Sequence, residues 1–543
     1  MGRLDGTSAR AMPPVTAAEL GALFRTCAVA TSDDSPSRHV PPKYTHRHGW
    51  RPSAHPDFGD GGSFPELDVV QMPHGLGWDS ARFPNVEPLA ALDCSFDELQ
   101  ANAARCVLRL DSTRNGAPRR ATPEYDTFVS FLKDTHETLR DSFSQNQTSD
   151  DADAFADALL SRFMDAHPNA QHVERVTDID PRTFGQNFLN KKDGLGVPVV
   201  VADGGRAWTN SKTWTSISGL KTSPLARRKA RCNDRAPARR ADAVEEPVNM
   251  QGSHIHGTKQ RTCELPFFEF LTYVEGRPKM DFDKKSMQKS IESLANADAP
   301  FYCNGWRAFE QEVCDVDDIY AQASTGDVCQ EKNTPSTAAQ AFPPPYFASQ
   351  IDCTKLIAAQ TREIILDKIS PGRNHTISAT CAAESLDASL AKLFIGPCGT
   401  VTRMHQDAGE AHGWLGQVFG DKLFILCPPS DSRFLREIKG EVETSQSYCD
   451  PLDMSKEAVF ENALFWEKAS PVITVLKPNE TLVIPKGWWH YAAALSPSLT
   501  AMKNFYDAEG NVKSLVQIVA KGASGGGSVT DCGPTNAKGL KKG

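Results

Sequence analysis

Apolar and polar residues alternate in short runs between residues 391 and 507: AKLFIGP, GTVTRMHQDAG, QVFGDKLFILCPP, SPVITVL, TLVIPKGWWHY and TAMKNFYD, punctuated by KPNE and other Gly, Pro or Asn segments. Short strands joined by such turns predict an antiparallel sandwich or barrel. Upstream, GVPVVVADG predicts one more strand. Before residue 173 the period changes, and apolar spacing predicts helices over 96–110, 123–145 and 150–166. Ser95 can cap the first, a proline sits in the first turn of the second, and acidic residues open the third. The expected fold class is therefore α+β, with a mostly helical N-terminal extension before a β-rich domain.

The remaining segments set the domain plan. Residues 1–65 are rich in Pro, Gly, His and Ser and are expected to be largely disordered, with one short helix at AAELGALFRTCAVA. Residues 66–170 form the helical extension and 171–510 the β-rich domain. A basic insertion at about 221–250 is expected to be disordered, and 326–341 reads as a second loop. NVKSLVQIVAKG predicts a short helix before a Gly-rich flexible tail, within 511–543.

Charge and cysteine usage narrow the classes. With 59 Lys+Arg against 68 Asp+Glu, the chain carries a formal charge of −9, which argues against a protein that coats nucleic acid. The cluster Arg227, Arg228, Lys229, Arg231, Arg235, Arg239 and Arg240 reads as a nuclear signal or nucleic-acid contact, or as a solvated insertion, the preferred reading. No apolar run reaches membrane-spanning length, and no apolar signal-peptide region follows Met1. The 14 cysteines include no C-x-x-C pair, which argues against a zinc finger and for reduced thiols in the cytoplasm or nucleus. The sequons at Asn146, Asn374 and Asn479 then read as chance matches.

The chemistry concentrates in one triplet, His405-Gln406-Asp407. On extended backbone, residues two apart face one side, so an imidazole and a carboxylate can point together into a barrel. His490 follows the strand TLVIP, and two histidines with one carboxylate make the facial triad of non-haem Fe(II). The triplet alone is weak, because His55-Pro56-Asp57 repeats it in a Pro/Gly-rich segment without strands. Lys422 opens the strand KLFILC. Such a lysine is normally a solvated strand end. Facing the interior, it would need an anionic partner, which a dicarboxylate supplies.

On these segments, together with FFEFLTYV, APFYCNGW and GVPVVVADGGRAW, the chain resembles the JmjC-domain proteins from about Val173 to Asp507, and most closely the hydroxylase-type members. The resemblance implies a double-stranded β-helix (cupin-type jelly roll), Fe(II), and 2-oxoglutarate and dioxygen as co-substrates. It implies His405, Asp407 and His490 as catalytic metal ligands. Lys422 and Thr402 would hold the distal carboxylate of 2-oxoglutarate, with Tyr302 in the same pocket and Asn504 near co-substrate and metal. Tyr302 reads equally as a core aromatic, and Asn504 as a turn or sheet-edge residue. Thr402 can share a face with His405 only if the backbone bends at Arg403–Met404, where the family often has proline instead of Arg403. Ala411 stands where the family often has a polar residue. His412 is expected at the surface or just outside the ligands, and Trp488 and Trp489 are both expected to wall the site.

The activity implied is hydroxylation of a protein side chain with release of succinate and CO2. Alternatives are a lysine demethylase, an RNA-modifying hydroxylase supported only by the basic segment, and a catalytically silent cupin that binds without turnover. Oligomeric state and target residue are left open.

Overall fold

The computed structural model describes residues 122–142, 151–191, 195–208, 213–227, 229–233, 262–283, 286–309, 341–369, 371–372, 374–435 and 446–524. The expected helices at 17–30 and 96–110, the disorder of 1–65, the loop at 326–341 except its last residue, the glycine-rich tail and the His55–Asp57 triplet lie outside them.

Eight strands make the core: β7 (Ala391–Gly396), β8 (Val401–His405), β9 (His412–Phe419), β10 (Lys422–Cys427), β11 (Val472–Leu476), β12 (Thr481–Ile484), β13 (Trp489–Ala494) and β14 (Ser498–Phe505). They divide into two four-stranded sets, β11-β10-β13-β8 in one sheet and β12-β9-β14-β7 in the other, with only β10 and β11 consecutive within a sheet. All neighbours among these eight are antiparallel. That strand order is a jelly roll, the double-stranded β-helix expected from the sequence. Short upstream strands extend the edges. β1 (Gln171–His172) adds to β11, while β2 (Glu174–Val176) and β3 (Val199–Val201) add beside β12, and β6 (Cys303–Trp306) beside β7.

Strand alternation sorts the core into layers. Leu415, Phe424, Leu426, Ile484, Ala492 and Met502 face each other between the sheets. On the outer side of the first sheet, Met404, Leu423, Ile425 and Tyr491 pack with Phe128, Leu132, Phe155 and Leu159. Those four belong to α1 (Pro123–Ser142) and α2 (Asp151–Ala166). The described part of the helical extension thus shares a core with the barrel. The outer side of the second sheet, with Leu393, Trp414 and Phe505, packs on Phe267 and Phe270 of α3 (Phe267–Gly276). Among the described residues no helix is long and apolar enough to cross a membrane.

Two differences from the sequence reading stand out. The expected disordered insertion begins with structure: Pro224–Arg227 is a 3-10 turn, and β4 (Lys229–Asn233) pairs antiparallel with β5 (Thr262–Pro266). Residues 234–261 lie outside the described part. The pairing partner is some thirty residues away, so local composition could not reveal it. A further helical pair, α4 (Thr354–Ile369) and α5 (Thr376–Leu390), precedes β7, where no element was expected. Its sequence signal is the buried set Ile357, Ala358, Thr361 and Ile365, spaced for one helix face. The expected C-terminal helix forms as α6 (Val512–Ser524) and packs on this pair through Leu515 and Val516.

Candidate active site

His405 ends β8 and lies directly opposite His490 on β13. Their rings are 4.0 Å apart between centroids. Asp407 follows β8 in extended backbone. Its Oδ1 lies 3.8 Å from His405 Nε2 and 3.9 Å from His490 Nε2. The three side chains form one group whose ligand atoms all lie within 4.8 Å of one another.

The surroundings aim these atoms. His405 Nδ1 is 2.7 Å from the Arg403 carbonyl, and His490 Nδ1 is 3.3 Å from the Trp488 carbonyl. Each carbonyl accepts a hydrogen bond from Nδ1–H, so each Nε2 keeps a lone pair for a cation. Asn504 Nδ2 donates to Asp407 Oδ2 at 2.9 Å, turning Oδ1 toward the imidazoles. Burial, then the neighbouring His490, holds the His405 pKa well below its ordinary value. Burial opposes the ionisation of Asp407, yet His490, His405, Lys392 and Asn504 outweigh it and keep the carboxyl below its usual range. Two imidazoles, each presenting Nε2, and one carboxylate fit a divalent first-row metal.

The bend required of β8 is present. His490 pairs with His405 and Ala492 with Thr402, so β8 carries one more residue than β13 over this stretch. This bulge places Arg403 and Met404 outside and both Thr402 and His405 inside.

Lys422 opens β10 and shares its inward face with Phe424 and Leu426. It is 3 % exposed. Its Nζ donates to the Tyr302 hydroxyl at 2.9 Å, and Tyr302 is hydrogen-bonded to Thr402. The rings of Tyr302, Phe394 and Phe424 lie 5.4, 5.6 and 5.7 Å from Nζ. No carboxylate forms an ion pair with Lys422 among the described residues. Burial lowers the lysine pKa to about 7 and raises that of the Tyr302 hydroxyl. Gly396 leaves the room for Tyr302, since a Cβ there would lie 2.8 Å from its ring. Thr402, Tyr302 and Lys422 thus meet in one pocket, and Asn504 meets the triad.

One expectation is narrowed and one is corrected. His412 is not at the surface: it is 1 % exposed, with Nδ1 accepting from Lys486 N at 3.0 Å and Nε2 3.3 Å from Asp507 Oδ1. It braces Asp507 and lies outside the ligand group. Trp488 does join the interior cluster, but Trp489 belongs to the outer layer and donates to Ser432 Oγ at 2.9 Å. With His490 inward, alternation sends its neighbour outward. Two nearby groups were not anticipated. Lys392, half-buried on β7, feels the attraction of Asp407 against a burial that lowers its pKa. Its sequence signal is the spacing of two from inward Phe394. Tyr506 donates its hydroxyl to Gly409 O at 3.2 Å, holding the turn after Asp407.

The cupin-like domain model matches residues 181–511, more than half of the chain. Shorter segments are similar to curated proteins. One is Jumonji C domain-containing protein 5 of Drosophila melanogaster, 32% identical over 111 residues, 20% of this chain and 26% of that protein. Another is the 2-oxoglutarate and iron-dependent oxygenase JMJD4 of Danio rerio, 26% identical over 113 residues, 21% of this chain and 26% of that protein. A third is arginine-specific demethylase JMJ22 of Arabidopsis thaliana, 25% identical over 136 residues, 24% of this chain and 25% of that protein. The matches span about a quarter of the length of these relatives.

Proposed function

Because the chain belongs to the cupin-like domain family, we propose that it is an Fe(II)- and 2-oxoglutarate-dependent oxygenase that hydroxylates a protein side chain. The observation that carries this reading is Lys422. A buried ammonium whose described hydrogen-bond partner is a tyrosine hydroxyl, in the same barrel as a His-Asp-His group, asks for a carboxylate. 2-Oxoglutarate has one carboxylate for that end and a keto acid for a metal.

In this reading His405, Asp407 and His490 hold the iron, and Asn504 fixes the Asp407 rotamer. Lys422, Tyr302 and Thr402 bind and orient the distal carboxylate. Phe394, Phe424 and Trp488 exclude water from the pocket between the two ends. Iron with 2-oxoglutarate supplies the activation of dioxygen and the oxidation of an unreactive C–H bond, with succinate and CO2 released. The complete His-Asp-His group together with the buried Lys422 argues against a silent binding module. We place the activity in the cytoplasm or nucleus, consistent with core thiols such as Cys398, whose Sγ donates to Leu495 O at 3.1 Å.

A demethylase is the second reading, favoured by the activity that the name of the JMJ22 relative carries. It shares every step up to C–H oxidation and differs in the target, an N-methyl group lost as formaldehyde. The test is succinate formation from 2-oxoglutarate by purified protein with Fe(II) and ascorbate, beside Asp407→Ala. Succinate from the wild type alone is expected. Failure to bind both metal and 2-oxoglutarate would replace the oxygenase with the silent module. Mass spectrometry of candidate proteins then separates a gained oxygen from a lost methyl group.

A further inference from the structure

We propose that the helical extension takes part in the metal centre: Glu124 of α1 and Arg403 of β8 form a positioning pair that fixes His405. This deepens the oxygenase reading and rests on it.

The bulge creates the need. With Arg403 and Met404 both facing outward, β13 cannot hold the local backbone through its regular ladder. Other groups do so. Ser447 N donates to Met404 O at 2.9 Å, and Gln446 bridges His405. The Arg403 carbonyl is itself the partner of His405 Nδ1, at 2.7 Å. The orientation of that one peptide therefore directs the face of the imidazole that meets a metal.

The Arg403 side chain anchors this peptide. Its Nε lies 2.7 Å from Glu124 Oε1, and the two side chains are 11% and 6% exposed. Glu124 is the second residue of α1. Its neighbour Tyr125 donates to Leu294 O at 2.8 Å and lies over Gly399, where a Cβ would come within 2.4 Å of the ring. Adjacent residues of α1 thus grip the bulge and the turn that leads into β8. A buried pair of this kind contributes little net stability against an apolar replacement of similar volume, but it specifies geometry when a hydrogen-bonded neighbour depends on it.

The test uses the full chain and Co(II) as probe, without 2-oxoglutarate, followed by the visible absorption of the bound ion and by calorimetry. Glu124→Gln is expected to raise the Co(II) dissociation constant about tenfold, the low end for partners of ligating histidines, and to shift the absorption bands. Glu124→Asp should recover part of the loss. Because Glu124→Gln removes one carboxylate from a buried guanidinium that also feels Asp450, the joint substitution Glu124→Leu and Arg403→Met is the deciding variant. It should melt near the wild type yet keep the weakened affinity and altered bands. Wild-type affinity and spectrum in that variant would overturn the proposal while leaving the oxygenase reading standing. A wild type that binds no Co(II) at the Asp407-dependent site would overturn both.

Discussion

Thr402 and His405 are three residues apart on one strand and face the same interior, because β8 carries one residue more than β13 between them. The bulge ties the two ends of the pocket together: His405 sits in the metal group and Thr402 bonds Tyr302 beside Lys422. Thr402→Val keeps the shape and removes the hydroxyl. A lost hydrogen bond of about 1 kcal/mol predicts a five- to tenfold weaker affinity for 2-oxoglutarate, roughly, with Co(II) binding unchanged. Isothermal titration of each ligand separates the two effects.

Lys422 makes binding of 2-oxoglutarate depend on pH. Burial depresses its pKa to about 7 in the folded chain, against about 10.4 for an unperturbed lysine. At pH 8 the free protein therefore holds this group mostly as the neutral amine, whereas a bound carboxylate favours the ammonium. Binding at pH 8 should take up close to one proton, and affinity should fall as pH rises above 7. Calorimetry in buffers of different ionisation enthalpy counts the proton. Zero uptake would place the carboxylate elsewhere.

The same shift affects the fold. Between pH 7 and 10 the unfolded chain binds more protons at this lysine than the folded one, so stability without ligand rises with pH across that window. Lys422→Met removes the burial cost. Its melting temperature should equal or exceed that of the wild type at pH 7, while 2-oxoglutarate binding falls by about tenfold or more. Thermal melts with and without 2-oxoglutarate report both.

Asn504 is a supporting residue for Asp407. Asn504→Ala should weaken metal binding by about 10- to 100-fold. Asp407→Ala and His490→Ala should abolish it, and His55→Ala or Asp57→Ala should leave it unchanged. Loss of metal in the His55 or Asp57 variant would mean that the other H-x-D triplet is the site.

Gly416, on β9, makes room for an aromatic wall. A Cβ at this position would lie 1.9 Å from the Trp208 ring, whose Nε1 donates to Pro343 O at 3.0 Å. Gly416→Ala should destabilise the fold by about 1–3 kcal/mol or more, since the indole must leave its seat. Urea denaturation measures the loss, and Trp208→Leu in the same chain should relieve it.

Local pattern in the amino-acid sequence determined the strands of the jelly roll. VITVL, TLVI and KLFILC are short apolar runs bounded by turn residues, and no distant contact is needed to read them. Residue chemistry, with the family resemblance, singled out His405, Asp407 and His490 as one candidate group. Tertiary structure decided which faces those residues present. The extra residue in β8 is visible only as a register shift against β13. The interior setting of Lys422 depends on its alternation with Phe424 and Leu426 across a closed barrel. His412 is buried because Asp507 and the Lys486 amide reach it from distant segments. The helical extension carried no chemistry of its own. Glu124 acquires significance only where α1 meets Arg403, 279 positions later in the chain. Periodicity is local, so the sequence displays it directly, whereas the pairing of buried charges and the register between strands are long-range and exist only once the chain has closed on itself.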